Sequence, residues 1–322
     1  MAFRIGRVMF SWKVFCATGA RGFFGESYWY SSLFRLLGAA WENTNFAAKT
    51  TTFSARNEGM ALAQDGISPA NLFPPCIVPH WLSGHVLNAV GLSGPGAKYL
   101  LEKGEWQRIT EPFSLSFMAV GETVEERAEE YERFVELFIR HHHIFKAPVV
   151  MQINFGCPNA GVSLEELRAE TFGALRILSK LEVPLVPNFN PLVPAQLLKE
   201  LEETGLCAGF WVANTIPYDH DGLGQSIFGQ EVSPLIKRGF PSPGGISGPR
   251  CLKYTLKAVR EARESGVTLP IIAGNGIQTP EDVRLVKDAG ADAIALGIIA
   301  MLPFRMIKMR KVIETANWIL GD

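Results

Sequence analysis

Short apolar runs separated by longer amphipathic segments recur along the chain. Eight of these runs are largely apolar rather than alternating, a pattern typical of strands that are buried on both faces of a parallel sheet. They comprise residues 14–20, 46–52, 113–120, 149–155, 184–190, 209–214, 269–273 and 293–296. The chain is therefore expected to form a parallel sheet of eight strands.

The segments between the runs carry helix signals. Residues 123–140 open on Thr123, with Glu126 three positions later, which is a capping-box pair at the start of an amphipathic stretch. Proline at the first helical position and glycine after the last mark several of the other helices. These further helices are predicted over residues 163–180, 194–204, 249–265 and 280–289.

Alternation of eight strands with helices over 322 residues predicts an α/β fold of the (β/α)₈ TIM-barrel type. The competing fold is a doubly wound open sheet, which requires a glycine-rich turn after its first strand. Residues 19–22 (GARG) lack the G-x-G-x-x-G spacing of that turn. The barrel is therefore the favoured fold.

The chain shows no linker that would divide it, so residues 1–322 are predicted as a single domain. Within it, residues 1–13 form an N-terminal lead-in and residues 303–322 a C-terminal helix. Two connections, 54–93 after the second strand and 216–243 after the sixth, are longer than ordinary loops. Insertions of this length without evident structure are commonly lids or binding loops.

Charge and cysteine content narrow the function classes. Lysine and arginine number 31 against 32 acidic residues, which argues against nucleic acid or an anionic membrane surface as a partner. Five cysteines without C-x-x-C spacing argue against a disulfide framework, a metal site or an iron–sulfur cluster, and favour a cytoplasmic setting. The sequence contains no run of about 18 apolar residues, so no membrane-spanning helix is predicted.

Small and polar residues concentrate where the predicted strands end, which in a barrel is the active-site face. They are Ala17, Thr18, Gly19, Lys49, Asn154, Asn188, Asn214, Thr215, Gly274, Asn275, Gly276, Gly297 and Ile298. The glycines after the last two strands predict a phosphate site made of backbone N–H groups, and the alternative is that they are turn residues. Gly244, Gly245, Ser247 and Gly248 precede a helix and suggest either a second backbone cradle or a hinge. The aromatic residues 28–30 are expected to pack in the core or at a subunit contact.

Several motifs, in order along the chain, resemble those of the dihydroorotate dehydrogenase family of FMN-dependent barrels. Residues 154–159 (NFGCPN) resemble its Asn-x-Ser-Cys-Pro-Asn signature, and residues 88–92 (NAVGL) its Asn-x-x-Gly-Leu loop. Residues 48–50 (AKT) resemble its strand-two lysine motif, and residues 244–248 (GGISG) its Gly-Gly-x-Ser-Gly turn. The resemblance extends over about residues 10–302.

The resemblance implies oxidation of dihydroorotate to orotate in pyrimidine biosynthesis. Cys157 matches the base of class-one-like members, which removes a proton while FMN accepts a hydride. The matching substrate-binding residues are Lys49, Asn88, Asn154, Asn159, Asn214 and Thr215. The matching FMN-binding residues are Ala17, Thr18, Gly19, Lys49, Asn188, Gly244, Gly245, Ser247, Gly248, Gly274, Asn275, Gly276, Gly297 and Ile298.

One position departs from the family pattern. Asn188 stands where family members usually have a lysine beside the flavin, and an amide supplies a hydrogen bond but no charge. A related oxidoreductase acting on another cyclic amide, such as a dihydropyrimidine, therefore remains an alternative. Two further alternatives are a non-redox phosphate-binding lyase or isomerase and a flavoprotein that only binds. The resemblance also suggests a homodimer, and a pyridine nucleotide could be reached only through an electron-transfer partner subunit.

Overall fold

A computed structural model describes residues 2–26, 28, 41–155 and 164–321 of the chain. In chain order, its strands are β1 (Phe3–Ile5), β2 (Val8–Phe10), β3 (Val14–Cys16), β4 (Phe46–Ala47), β5 (Ile77–His80), β6 (His85–Asn88), β7 (Phe113–Phe117), β8 (Val149–Asn154), β9 (Leu185–Phe189), β10 (Phe210–Val212), β11 (Ile216–Pro217), β12 (Gly245–Ser247), β13 (Ile271–Gly274) and β14 (Ala293–Leu296).

The α-helices are α1 (Ala97–Glu102), α2 (Glu105–Arg108), α3 (Val124–His142), α4 (Leu164–Leu178), α5 (Ala195–Glu203), α6 (Leu223–Phe228), α7 (Pro234–Lys237), α8 (Leu252–Glu264), α9 (Pro280–Asp288), α10 (Pro303–Met306) and α11 (Met309–Ile319). Short 3₁₀ turns occupy Ser179–Leu181, His220–Gly222, Pro249–Cys251 and Ile298–Ala300. The capping box predicted at Thr123 is confirmed, because its side chain accepts from the amide of Glu126 and that glutamate bonds back to the amide of Thr123.

Eight strands form one parallel sheet in the order β3-β14-β13-β10-β9-β8-β7-β4. The two outer strands meet through Asn45, whose backbone N donates to Val14 O at 2.7 Å and whose O accepts from Cys16 N at 3.0 Å. This contact closes the sheet into a barrel. The (β/α)₈ prediction is confirmed, each barrel strand lies within or beside one of the eight predicted runs, and the open-sheet alternative is wrong.

The amino-terminal end of the barrel is filled by aromatic side chains. Phe15 points inward and makes edge contacts with Phe10 at 4.9 Å and with Trp211 at 5.1 Å between ring centroids. Phe10 belongs to β2, which pairs with β1 in an antiparallel hairpin across this end. The residues predicted as an N-terminal lead-in therefore close the amino-terminal end of the barrel, which leaves its carboxyl end for a site.

The two long connections are not irregular loops. The first contributes β5 and β6, and the second contributes β11 and ends at β12; together they form an antiparallel sheet in the order β11-β12-β6-β5. Leu87, Ile216 and Ile246 lie in a small apolar core between this sheet and the helices α6 and α7. The two predicted insertions are therefore ordered against each other, because strands of the first pair with strands of the second. The structure likewise gives Gly245–Ser247 as a paired strand rather than a hinge.

Candidate active site at the carboxyl end of the barrel

A cavity of about 300 Å³ opens at the carboxyl ends of the barrel strands, between them and the antiparallel sheet. This volume lies within the range of small-molecule sites. Most of the predicted site residues line it: Ala17, Thr18, Gly19, Lys49, Asn88, Asn154, Asn188, Asn214, Thr215, Ser247, Asn275, Gly276, Gly297 and Ile298. Cys157 and Asn159 fall outside the described residues, so their place relative to the cavity stays a prediction.

Three carboxamides from successive barrel strands meet on one wall. Asn214 Nδ2 donates to Asn154 Oδ1 at 2.7 Å, and Asn188 Nδ2 lies 3.4 Å from the same oxygen and 3.2 Å from Asn214 Oδ1. Asn154 Nδ2 in turn donates to Thr50 Oγ1 at 3.2 Å. Asn154 and Asn188 are register partners on β8 and β9, whereas Asn214 follows the end of the neighbouring strand β10 and reaches both through its side chain. The triangle of amides presents donors and acceptors on short, constrained side chains.

Two buried polar atoms beside this triangle lack hydrogen-bond partners within the described part of the chain: Asn188 Oδ1 and Gln152 Nε2. Gln152 lies one inward position before Asn154, fully buried, and its Oε1 accepts from Thr18 Oγ1 at 2.7 Å. Because a buried unpaired donor or acceptor costs about 1–3 kcal/mol, such atoms mark places where a ligand or an ordered water completes the bonding. Asn188 lines the cavity, so its Oδ1 is an acceptor left for a ligand, whereas Gln152 lies behind the lining residues.

Lys49 follows the second barrel strand, β4, and its side chain lines the cavity. Its Nζ donates to Ser93 O at 2.5 Å and lies 5.0 Å from the centre of the Phe23 ring. Burial lowers the pKa of Lys49 to about 8, against a smaller raising effect of the nearby Glu58 carboxylate. Among the described residues that line the cavity it is the one charged side chain. The cavity therefore offers a single positive charge and a neutral amide wall.

The predicted phosphate end has the glycine backbone that the sequence suggests. Gly276 has φ +106°, and a Cβ there would lie 2.5 Å from Leu252 N, so its glycine is required by the approach of α8 to the turn. Gly297 is less constrained, since a Cβ there would meet Ala17 Cβ at 3.1 Å, at the cavity wall. Asn275 uses its side chain within the protein, where it accepts from Gly248 N and donates to the carbonyls of Asn214 and Ile246.

Four predicted cofactor-binding glycines do not line the cavity: Gly244, Gly245, Gly248 and Gly274. At each of them a Cβ would collide with another part of the chain. A Cβ on Gly244 would meet Asn88 O and the Leu235 side chain, and one on Gly245 would meet the Thr215 side chain. A Cβ on Gly248 would meet the His85 ring, and one on Gly274 would meet Ala213 Cβ. Glycine is therefore needed at these positions for contact between protein segments, whichever role their backbone has toward a ligand.

Several wall residues were not predicted from the sequence. The antiparallel sheet and the turn after it supply an apolar side, formed by Ile77, Val86, Val90 and Leu92, and Met301 adds to it from the other end. Tyr28, expected to pack in the core or at a subunit contact, also lines the cavity; burial raises the pKa of its phenol to about 12. The N-x-x-G-L motif at residues 88–92 was the available signal for the sheet's contribution.

Comparison with known proteins places the chain in a family. The family model for dihydroorotate dehydrogenase matches residues 74–315. The NAD(+)-type dihydroorotate dehydrogenase B catalytic subunits of Anoxybacillus flavithermus and Bacillus caldolyticus are each 32% identical to this chain, over 223 and 225 residues, respectively. Each alignment covers 66% of this chain and 64% of the relative, so the chain spans less than two thirds of the length of these curated relatives.

The fold is shared with more distant structures as well. The crystal structure of ligand-free DHODH from Eimeria tenella matches with a TM-score of 0.67 and 17% identity, over 100% of this chain and 88% of that one. In the described part of the chain, no helix combines the length and the apolar character needed to cross a membrane. Because the family model covers well over half of the sequence, the chain belongs to the dihydroorotate dehydrogenase family.

Proposed function

We propose that this chain oxidises dihydroorotate to orotate in pyrimidine biosynthesis, with FMN as its cofactor. The observation that carries the proposal is that one cavity joins the Lys49 ammonium to the carboxamides of Asn154, Asn188 and Asn214. A ring of alternating C=O and N–H groups that bears a carboxylate requires both a cation and side chains that donate and accept. The names of the relatives support the same reaction.

The residues present fit FMN. A flavin ring edge carries an N–H donor, which matches the unpaired Asn188 Oδ1 on the cavity wall. Glycine backbone at Gly276 and Gly297 stands where barrels commonly bind a phosphate. The residues that would hold the cofactor are Ala17, Thr18, Gly19, Lys49, Asn188, Ser247, Asn275, Gly276, Gly297 and Ile298. When bound, FMN supplies the acceptor for a hydride.

The remaining groups act on the substrate. Lys49 holds the substrate carboxylate by charge, and Asn88, Asn154, Asn159, Asn214 and Thr215 hold the edges of its ring. The Cys157 thiolate removes the proton from the ring carbon next to a carbonyl. A thiol with an ordinary pKa of about 8.5 can serve as such a base after modest lowering of its pKa.

The electrons leave through a second protein. Both relatives are named as catalytic subunits of NAD(+)-dependent enzymes, which supports an electron-transfer partner subunit for this chain. Dimerisation and a cytoplasmic location remain predictions. The second is supported by four buried, unpaired cysteines among the described residues: Cys16, Cys76, Cys207 and Cys251.

A second substrate class is favoured by Asn188. This side chain is 1% exposed and neutral, and it occupies the position where the family resemblance leads us to expect a lysine. A site with one lysine carries less positive charge than a site with two. It is therefore better suited to a neutral cyclic amide, such as a dihydropyrimidine without a carboxylate. Lys49 then decides between the two candidates, because only a carboxylate-bearing substrate needs its charge.

Anaerobic flavin reduction tests both candidates. We expect the purified protein to bind FMN and its visible absorption to bleach with dihydroorotate. We expect Lys49→Met to retain FMN but to lose most of this reduction. Bleaching by dihydrouracil in place of dihydroorotate, unaffected by Lys49→Met, would establish the neutral-substrate alternative. A protein that takes up no FMN would refute both and leave the non-redox phosphate-binding barrel.

A further inference from the structure

A strap of residues 56–60 runs beside the cavity turn, residues 88–94. Arg56 N donates to Gly94 O at 2.9 Å, and Gly94 N donates back to Arg56 O at 3.0 Å. Met60 N donates to Val90 O at 2.9 Å. Gly59 lies so close that a Cβ there would strike Ala89 O. The strap therefore fixes a turn that carries four residues of the cavity wall: Asn88, Val90, Gly91 and Leu92.

Within the strap, the Glu58 side chain forms a hydrogen bond to this turn. Its Oε2 accepts from Leu92 N at 2.7 Å, its Oε1 accepts from Arg56 Nε at 2.5 Å, and its own amide donates to Ser93 Oγ at 2.8 Å. A Cβ on Gly91 would collide with the same carboxylate. The Glu58 side chain is 29% exposed, so the carboxylate is held by these bonds at the margin of the cavity rather than inside it.

Lys49 holds the same turn from the barrel side. Its Nζ donates to the carbonyl of Ser93, a residue that is fully buried, while Glu58 binds the preceding amide. The Glu58 carboxylate and the Lys49 ammonium therefore bind consecutive residues of the turn, Leu92 and Ser93. The Glu58 charge raises the pKa of Lys49 against the lowering effect of burial.

We propose that Glu58 is a positioning residue for the proposed reaction: it anchors the turn that carries Asn88 and supplies the negative charge that keeps Lys49 cationic toward an anionic ligand. The proposal rests on the proposed function for its ligand, but its effect on Lys49 is independent of any ligand. Other charged or titratable groups around Lys49 are Arg56, paired with Glu58, Tyr28 on the cavity wall, and Glu26, bound by the amides of Phe23 and Phe24.

Two substitutions separate the charge of Glu58 from its anchoring role. Glu58→Gln removes the charge and leaves an oxygen that can accept from Leu92 N, whereas Glu58→Ala removes both. The matched control is Glu105→Gln, which removes a carboxylate from a surface ion pair with Arg108 at 3.1 Å. All three variants are made in the full chain.

The charge is tested first, by ¹³C NMR of lysine-labelled protein, with the Lys49 ε-carbon assigned from Lys49→Met. We expect Glu58→Gln to lower the pKa of Lys49, because the Glu58 charge raises it in the wild type. We expect Glu105→Gln to leave it unchanged. An unchanged pKa of Lys49 in Glu58→Gln would overturn the electrostatic part of the proposal.

The anchoring is tested by orotate binding to the FMN-loaded protein, followed by the flavin spectrum from pH 6 to 9. For the wild type, we expect the dissociation constant to rise about tenfold per pH unit above the pKa of Lys49. In Glu58→Gln the rise should begin at a lower pH, displaced by the pKa shift that the NMR titration gives, with unchanged affinity at pH 6. Glu58→Ala should bind at least about tenfold more weakly even at pH 6. Equal affinity of the two variants at pH 6 would overturn the anchoring role. If wild-type protein fails to bind orotate, the proposed function fails, while the NMR result still decides whether Glu58 controls Lys49.

Discussion

Lys49 is held as a cation in a place that disfavours its charge. Burial lowers the pKa of Lys49 to about 8, from an ordinary value of 10.5. At 1.36 kcal/mol per pKa unit, this difference means that the charged side chain costs about 3 kcal/mol of folding free energy at neutral pH. Methionine has a similar length and no charge, but it leaves Ser93 O without its donor, at a cost of about 1 kcal/mol. We therefore expect Lys49→Met to raise the free energy of unfolding by about 1–2 kcal/mol at pH 7.

The stability that Lys49→Met gains over the wild type should decrease as the pH rises. The folded wild type releases the Lys49 proton near pH 8, whereas the unfolded chain keeps it until about 10.5. Between these values the unfolded state binds more protons, so wild-type stability rises with pH, and the methionine variant lacks this rise. The advantage of Lys49→Met is therefore fully present below pH 8 and disappears as the pH approaches 10.5.

Urea unfolding followed by tryptophan fluorescence, at pH 7 and at pH 10, measures both effects. The protein is freed of bound flavin first, because an anion beside Lys49 would offset the penalty. Lys98→Met serves as the control, since Lys98 is 72% exposed and only pairs with Glu102 along α1; it should change stability by less than about 0.5 kcal/mol. If Lys49→Met is less stable than the wild type at pH 7, or if its gain in free energy of unfolding is the same at pH 10, the buried charge of Lys49 does not destabilise the fold.

The remaining predictions concern the base, the cofactor end and the antiparallel sheet. Cys157→Ala should retain FMN but slow flavin reduction by about 10²–10⁴-fold in stopped-flow absorbance, and unchanged kinetics would remove the thiol from the mechanism. Gly297→Val should lose FMN while keeping its circular dichroism, because the new side chain enters the cavity beside Ala17; a full flavin content would exclude phosphate binding there. His85, whose pKa burial lowers to about 4, accepts from Arg250 N at 3.0 Å, so wild-type stability should fall as the pH drops from 6.5 to 4. His85→Gln should show a smaller acid loss in urea titrations; an equal loss would assign it to other groups.

The barrel could be predicted from the sequence because its signal is local. A parallel strand covered on both faces is an apolar run, and each run can be recognised without knowing its neighbours. The antiparallel sheet has no such signal. Its strands β6 and β12 are 4 and 3 residues long and pair across more than 150 positions, Asn88 with Gly245. Short strands whose partners lie far away in the chain look like loops until the partners are known.

The candidate site shows a different limit. Side chains that meet at strand ends, such as Asn154 and Asn214, could be predicted because barrel topology brings strand ends together. Glycines could not be sorted in the same way. Gly297 borders the cavity, whereas Gly245 and Gly274 lie where two protein segments touch, and the sequence shows glycine in both cases. Glu58 has no signal in the sequence, because its importance comes from two hydrogen bonds to a turn more than 30 residues away.

The neutral side chain at position 188 bears on which substrate the site accepts. Its buried amide gives the proposed flavin end of the cavity a hydrogen-bond donor but no charge, so Asn188→Lys should add a cation there. At about 4 Å and an effective dielectric near 20, such a charge is nominally worth about 4 kcal/mol. Desolvation of the lysine and loss of the bonds to Asn154 and Asn214 leave on the order of 1–2 kcal/mol. That corresponds to a rise of about 20–40 mV in the two-electron flavin potential, measured against redox dyes. A raised potential with faster reduction by dihydroorotate would identify charge as what the natural site lacks for that substrate. A raised potential without reduction by dihydroorotate would transfer the argument to a neutral cyclic amide, and an unmoved potential would mean that Asn188 does not border the flavin.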